Sequence, residues 1–150
     1  MKYLSIVILA LIIGGCVTPN TKTTKFDPAE VQAMPEEIAI EALTTFSKTA
    51  DSDPRSNCVF TDSGVKNKNS NMVFPYTRLY FNAKMKSYNA IEADDPHIYI
   101  FNKDDENCIC NSKISHGDYA GAQKEFDLRF KWIGSALMSL GAEYKENLQD

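Results

Sequence analysis

Cys58, Cys108 and Cys110 are the residues of this chain best suited to chemistry. Thiols act as nucleophiles once deprotonated, bind soft metals and pair as disulfides. Cys108 and Cys110 lie two apart, too close on an extended strand to bond comfortably to each other, and strand geometry puts both on one face. Cys58 is therefore expected to pair with Cys110 or Cys108. That closes a loop of about 50 residues and stabilises the fold by roughly 2–4 kcal/mol. The thiol left over is buried and inert, pairs between chains, or exchanges with its neighbour across Cys58, which would be a redox function.

The same thiols with His97 or His116 supply the ligand types of a zinc or copper(I) site. Cys-x-Cys has no second paired motif here, and the two histidines read as a strand-start and a turn residue. Cys108 or Cys110 with His116 has the residue types of a nucleophile pair, again without a local motif. The chain contains no His-Glu-x-x-His, phosphate loop, Gly-x-Ser-x-Gly or Gly-x-Gly-x-x-Gly. Asp51 and Asp53 begin like a calcium loop, but Arg55 and Ser56 occupy positions that need an oxygen ligand and glycine. No catalytic residue, metal ligand, cofactor or small-molecule substrate is assigned from the sequence.

The chain has 150 residues, 43% apolar and 24% charged, with a formal charge of −4. That is the size of one domain, and the composition disfavours wholesale disorder and a polytopic membrane protein. The acidic balance argues against a nucleic-acid partner. Charge is unevenly placed: the first 15 residues carry only Lys2. Residues 4–13 (LSIVILALII) are uncharged, shorter than the roughly 20 apolar residues a membrane span requires, and fit a cleaved export signal.

Ile13-Gly14-Gly15-Cys16 starts on the last residue of that stretch and resembles the lipobox of bacterial lipoproteins. The resemblance covers only about the first 17 residues. It implies that Ile13, Gly14 and Gly15 are signal-peptidase recognition positions and that Cys16 is the lipidated first residue of the mature chain. Small residues let the peptidase approach the backbone, and the thiolate takes the lipid. Several acyl chains, at about 0.8 kcal/mol per buried methylene, hold where one chain binds only marginally. In Gram-negative lipoproteins an Asp after the cysteine tends to retain the protein in the inner membrane. Val17 stands there, so the resemblance implies an outer-membrane location facing the periplasm.

Removing 1–15 leaves 135 residues with 15 basic and 20 acidic side chains, a charge of −5. Residues 16–34 read as the lipidated cysteine and a flexible tether, spanning about 23 Å as a coil. Residues 35–150 read as a single α+β domain. Pro35, Glu36 and Glu37 open a helix over 35–50, whose apolar face carries Ile38, Ala39, Ala42, Leu43, Phe46 and Ala50. Strands are expected at 58–60, at 78–86 from the alternation of Leu79, Phe81, Ala83 and Met85, at 98–101 as a central strand, and at 108–114. Residues 103–107 read as a hairpin loop and 61–71 as a surface loop.

From Asp118 as N-cap, Tyr119, Ala122, Phe126, Phe130, Ile133, Leu137, Leu140, Tyr144 and Leu148 recur at helical spacing. They predict a long C-terminal helix, weakened at Gly121, Gly134 and Gly141. The expected fold is a small antiparallel sheet of about four strands flanked by the two helices. Leu128 and Trp132 lie opposite the main stripe, packed under another element or exposed as a partner patch. Arg78, Lys84 and Lys86 beside Tyr80 could meet an anionic envelope component, or be the solvated face of a half-buried sheet. The expected function is a non-enzymatic, membrane-anchored interaction module, with an envelope protein as partner. The alternative is a thiol-redox or metal-binding lipoprotein using Cys58, Cys108 and Cys110.

Overall fold

In the computed structural model, residues 26–51, 54, 56–86, 95–114 and 119–148 are described. The expected export signal at 1–15, Cys16, His116 and Asp118 lie outside them. Helix α1 (Glu36–Ala50) begins at Pro35, with Glu36 and Glu37 at the positive end of its dipole and Lys48 in the last turn. Ala39, Ala42, Leu43, Phe46 and Ala50 form its buried stripe, and three alanines let it lie close to helix α2 (Tyr119–Ser139). Ile38 falls off that stripe and is exposed.

Strands β1 (Cys58–Phe60) and β2 (Val65–Asn67) form a separate antiparallel hairpin. The main sheet contains β3 (Leu79–Lys86), β4 (Asp95–Asn102), β5 (Cys108–Lys113) and β6 (Glu143–Tyr144), in the order β5-β4-β3-β6. β3, β4 and β5 are antiparallel neighbours, whereas β6 runs parallel to β3. The fold is mixed α+β, with two sheets rather than one purely antiparallel sheet. Part of the expected 61–71 loop is β2, and β1 joins this hairpin instead of the main sheet.

Both faces of the sheet are covered. Leu79, Phe81, Ile98, Ile100 and Cys110 belong to the core shared with the helices, while Tyr99, Phe101 and Leu148 form a smaller cluster with Tyr80 on the other face. Asn82 Nδ2 donates to the carbonyls of Lys145 and Leu148, at 3.1 and 3.2 Å, and so holds the C-terminal tail under that second face. Double coverage explains why 98–101 is apolar throughout.

The C-terminal helix stops at Ser139, so Leu140, Tyr144 and Leu148 are not helical. Gly141 has φ +97°, a left-handed conformation that strains other residues. Its N–H donates to Met138 O, and the Ala142 N–H to Leu137 O, each at 3.0 Å. This pair of bonds is a Schellman motif, which satisfies the last carbonyls and turns the chain. Tyr144 then enters β6 and packs against Phe81, with ring centroids 5.7 Å apart.

Phe26, nine residues before the expected start of the domain at 35, is already part of the core. Phe26 is buried against Phe81, Phe130 and Tyr144, at centroid distances of 5.6, 5.1 and 5.1 Å. Its ring occupies the space a β-carbon on Gly134 would need, 2.4 Å from Phe26 Cε2. Asp27 caps a 3-10 turn, Pro28–Glu30. Glu30 then pairs with Lys131 at 3.0 Å, and the Met34 N–H donates to Ser139 Oγ at 3.0 Å. At 3.6 residues per turn, Gly134, Lys131 and Ser139 lie on successive sides of α2. Residues 26–34 therefore form a strap around that helix.

The Tyr76 hydroxyl donates to Thr61 O at 2.6 Å and ties the hairpin to the turn before β3. Burial, with the Asp62 charge added, pushes this hydroxyl far above the ordinary tyrosine value of 10.0. The unfolded chain gives up the proton first, so stability is expected to fall as pH rises past about 10. Denaturant midpoints measured across that range in wild type and Tyr76→Phe should show a shallower fall in the variant.

Candidate functional site

The cysteines meet where the β1–β2 hairpin abuts the free edge of β5. Asn57 N–H donates to Asn111 O (2.9 Å), Asn111 N–H to Asn57 Oδ1 (2.8 Å) and Cys58 N–H to Ser112 Oγ (3.1 Å). Side chains thus accept two of these three bonds, in place of a regular ladder. Cys58 is joined there to Cys110, with Cα atoms 5.1 Å apart. Both sulfurs are in the core.

Cys108 stands outside this disulfide and is exposed. It does not share the face of Cys110, because the register passes from Ile100 opposite Cys110 to Phe101 opposite Cys108. Ile109 is the extra residue of a β-bulge, which breaks the alternation expected of a regular strand. Asn67 Nδ2 donates to Ile109 O at 2.9 Å and fixes the bulge to the hairpin. The Cys108 thiol lies 3.6 Å from Cys110 O, its acceptor.

An open groove of about 390 Å³ runs beside Cys108, lined by Asn67, Met72, Phe74, Asn102 and Asn107 among others. Amides from the end of β2, the end of β4 and the loops that follow them converge on a partly apolar floor, an arrangement that can hydrogen-bond a polar chain. The sequence offered only a run rich in asparagine, since these residues come from positions up to 42 apart.

His97 is fully buried within β4, its Nδ1 3.0 Å from Asn111 Oδ1, and it does not join the cysteines. With Cys58 and Cys110 bonded to each other, neither thiolate is available to a metal. Among the described residues no group of three or more His, Cys, Asp or Glu side chains could hold an ion.

Of the expected cationic row, only Arg78 has a described side chain. Arg78 lies in the 3-10 turn before β3 and pairs with Asp104. Tyr80 lies beneath Lys145 and Lys103, 4.8 and 5.4 Å from its centroid, and these pair with Glu106 and Glu143. Hydrogen bonding to Glu106 holds the Lys145 ammonium above its ordinary value. Each of these three cations thus has a carboxylate partner, which leaves little net charge for an anionic ligand. The side chains of Lys84 and Lys86 lie outside the described residues.

Leu128 and Trp132 are one turn apart on α2 and are 62% and 45% exposed. Among the described residues no other element covers them, so they stand exposed and do not form a second core face. No protein-family model matches the chain, and comparison with curated proteins and with solved structures finds no relative. Among the described residues no helix is long and apolar enough to cross a membrane.

Proposed function

We propose that the chain is a lipoprotein anchored by acyl chains on Cys16, set on the periplasmic face of the outer membrane, where it acts as a non-enzymatic interaction module. The observation that carries this reading is Ile13-Gly14-Gly15-Cys16 at the end of an uncharged ten-residue stretch that closes on Ile13. The Cys58–Cys110 disulfide supports it, because such bonds persist in oxidising compartments. Leu128 and Trp132, exposed on α2, give the domain an apolar contact surface.

Metabolic labelling with a fatty acid tests the anchor. The wild-type chain is expected to be labelled and to sediment with membranes, and Cys16→Ala to lose both properties while keeping its fold. Label persisting in Cys16→Ala would remove the basis of the assignment. Crosslinking of the wild-type chain in cells would then identify the partner.

A further inference from the structure

We infer that Leu128 and Trp132 seat on the lipid surface in which the acyl chains of Cys16 are buried, holding α2 against the membrane. This rests on the anchor proposed above and goes beyond it, because a lipid anchor alone fixes no orientation.

The chain between Cys16 and Phe26 sets the reach. Ten Cα steps extend to at most about 36 Å whatever their conformation, and a folded unit of this size has a radius of gyration of about 13 Å. An anchored domain therefore stays within roughly its own width of the lipid. Its point of attachment is Phe26, packed on Phe130 and under Gly134 of α2. Trp132 lies midway between those two residues in sequence. It is on the same turn, within about 3 Å along the axis, and about 200° around the helix. The tether thus arrives at the very turn that exposes Trp132, and a helix only about 10–12 Å wide separates them.

The chemistry suits a lipid surface. Tryptophan concentrates at the membrane interface, where its ring is buried and its N–H stays hydrated. Two side chains are too few to bind free in solution, but tethering raises the effective concentration of lipid to a level at which a weak contact forms. The other exposed apolar pair, Met72 and Val73, is placed differently. Met72 lines the groove at the β5 end of the sheet, whereas Phe26 enters at the β3–β6 end. With a charge of −5 on the mature chain, the contact depends on apolar insertion and not on attraction to anionic headgroups.

Trp132 is the only tryptophan and so reports directly. The full chain purified from membranes would first be weighed to establish acylation, then reconstituted into phosphatidylethanolamine/phosphatidylglycerol vesicles with and without brominated acyl chains. On acylated protein, Trp132 emission is expected to shift to shorter wavelength and to be quenched by the brominated lipid, with Leu128→Glu reversing both. An acylated protein whose Trp132 is unshifted and unquenched would overturn the inference while leaving the anchor intact. A blue shift in detergent that grows with protein concentration would overturn it in favour of a second copy. Absence of acyl mass would defeat the anchor, and the inference with it.

Discussion

Replacing Cys58 and Cys110 together by alanine is expected to lower stability by about 4 kcal/mol, the loop-closure entropy of a crosslink spanning 52 residues. Domains of this kind hold only about 5–15 kcal/mol in total, so much of the margin disappears. The effect is concentrated because the bond closes the seam where side chains stand in for a ladder, between the hairpin and the edge of β5. Without it, hydrogen bonds such as those of Asn57, Ser112 and Asn67 and the packing of Phe60 and Val65 must hold the hairpin. Urea unfolding should show a lower midpoint in the variant and a steeper slope, since an uncrosslinked denatured chain exposes more surface. Reductant should move the wild type toward the variant and leave the variant unchanged. A wild type indifferent to reductant would contradict the crosslink. The same arithmetic bears on location: in a reducing compartment the protein would lose this contribution, as an exported one does not.

Phe26→Ala is expected to cost about 3–5 kcal/mol, the range for emptying a buried phenylalanine site. Three aromatic rings lose their common neighbour, and the space above Gly134 is left vacant because no β-carbon is present to fill it. Loss of the ring also releases the strap, so Glu30 and Met34 lose the register that brings them to Lys131 and Ser139. Thermal unfolding would measure the loss. Proteolysis would locate it, since cleavage between residues 26 and 34 should appear in the variant and not in the wild type. Equal stability would mean that Phe26 contributes nothing to the core.

That position shows what the sequence conceals. A single phenylalanine between Lys25 and Asp27 has no periodicity, and the segment around it reads as linker. Its burial depends on a cavity that Gly134, over one hundred residues later, keeps open. The stripe of α1 was legible as a local consequence of one buried face. The alternation of Leu79, Phe81 and Ala83 was legible because the other face of β3 is covered by way of the polar Asn82 and the half-buried Tyr80. The apolar run at 98–101 was legible for the converse reason, burial on both faces.

The end of α2 was misread because Leu140, Tyr144 and Leu148 continue a helical spacing by coincidence. Gly141, taken as a weakening of the helix, is its terminator, and β6 is too short at two residues to show any period. The bulge at Ile109 likewise overturned the shared face of Cys108 and Cys110, since strand alternation assumes a register that only the partner strand reveals. Of the candidate surfaces, Leu128 and Trp132 were visible as residues off the helical stripe. The asparagine-lined groove was not, being assembled from segments distant in sequence.

The central claim is that this fold is carried on a lipid anchor at Cys16. Mass spectrometry of the amino-terminal peptide from the membrane-purified protein tests it most directly. The expected peptide begins at Cys16 and carries the mass of a diacylglyceryl group, with or without a further acyl chain on its amino group. A peptide that retains residues 1–15, or one that begins at Cys16 or beyond without lipid mass, would contradict it.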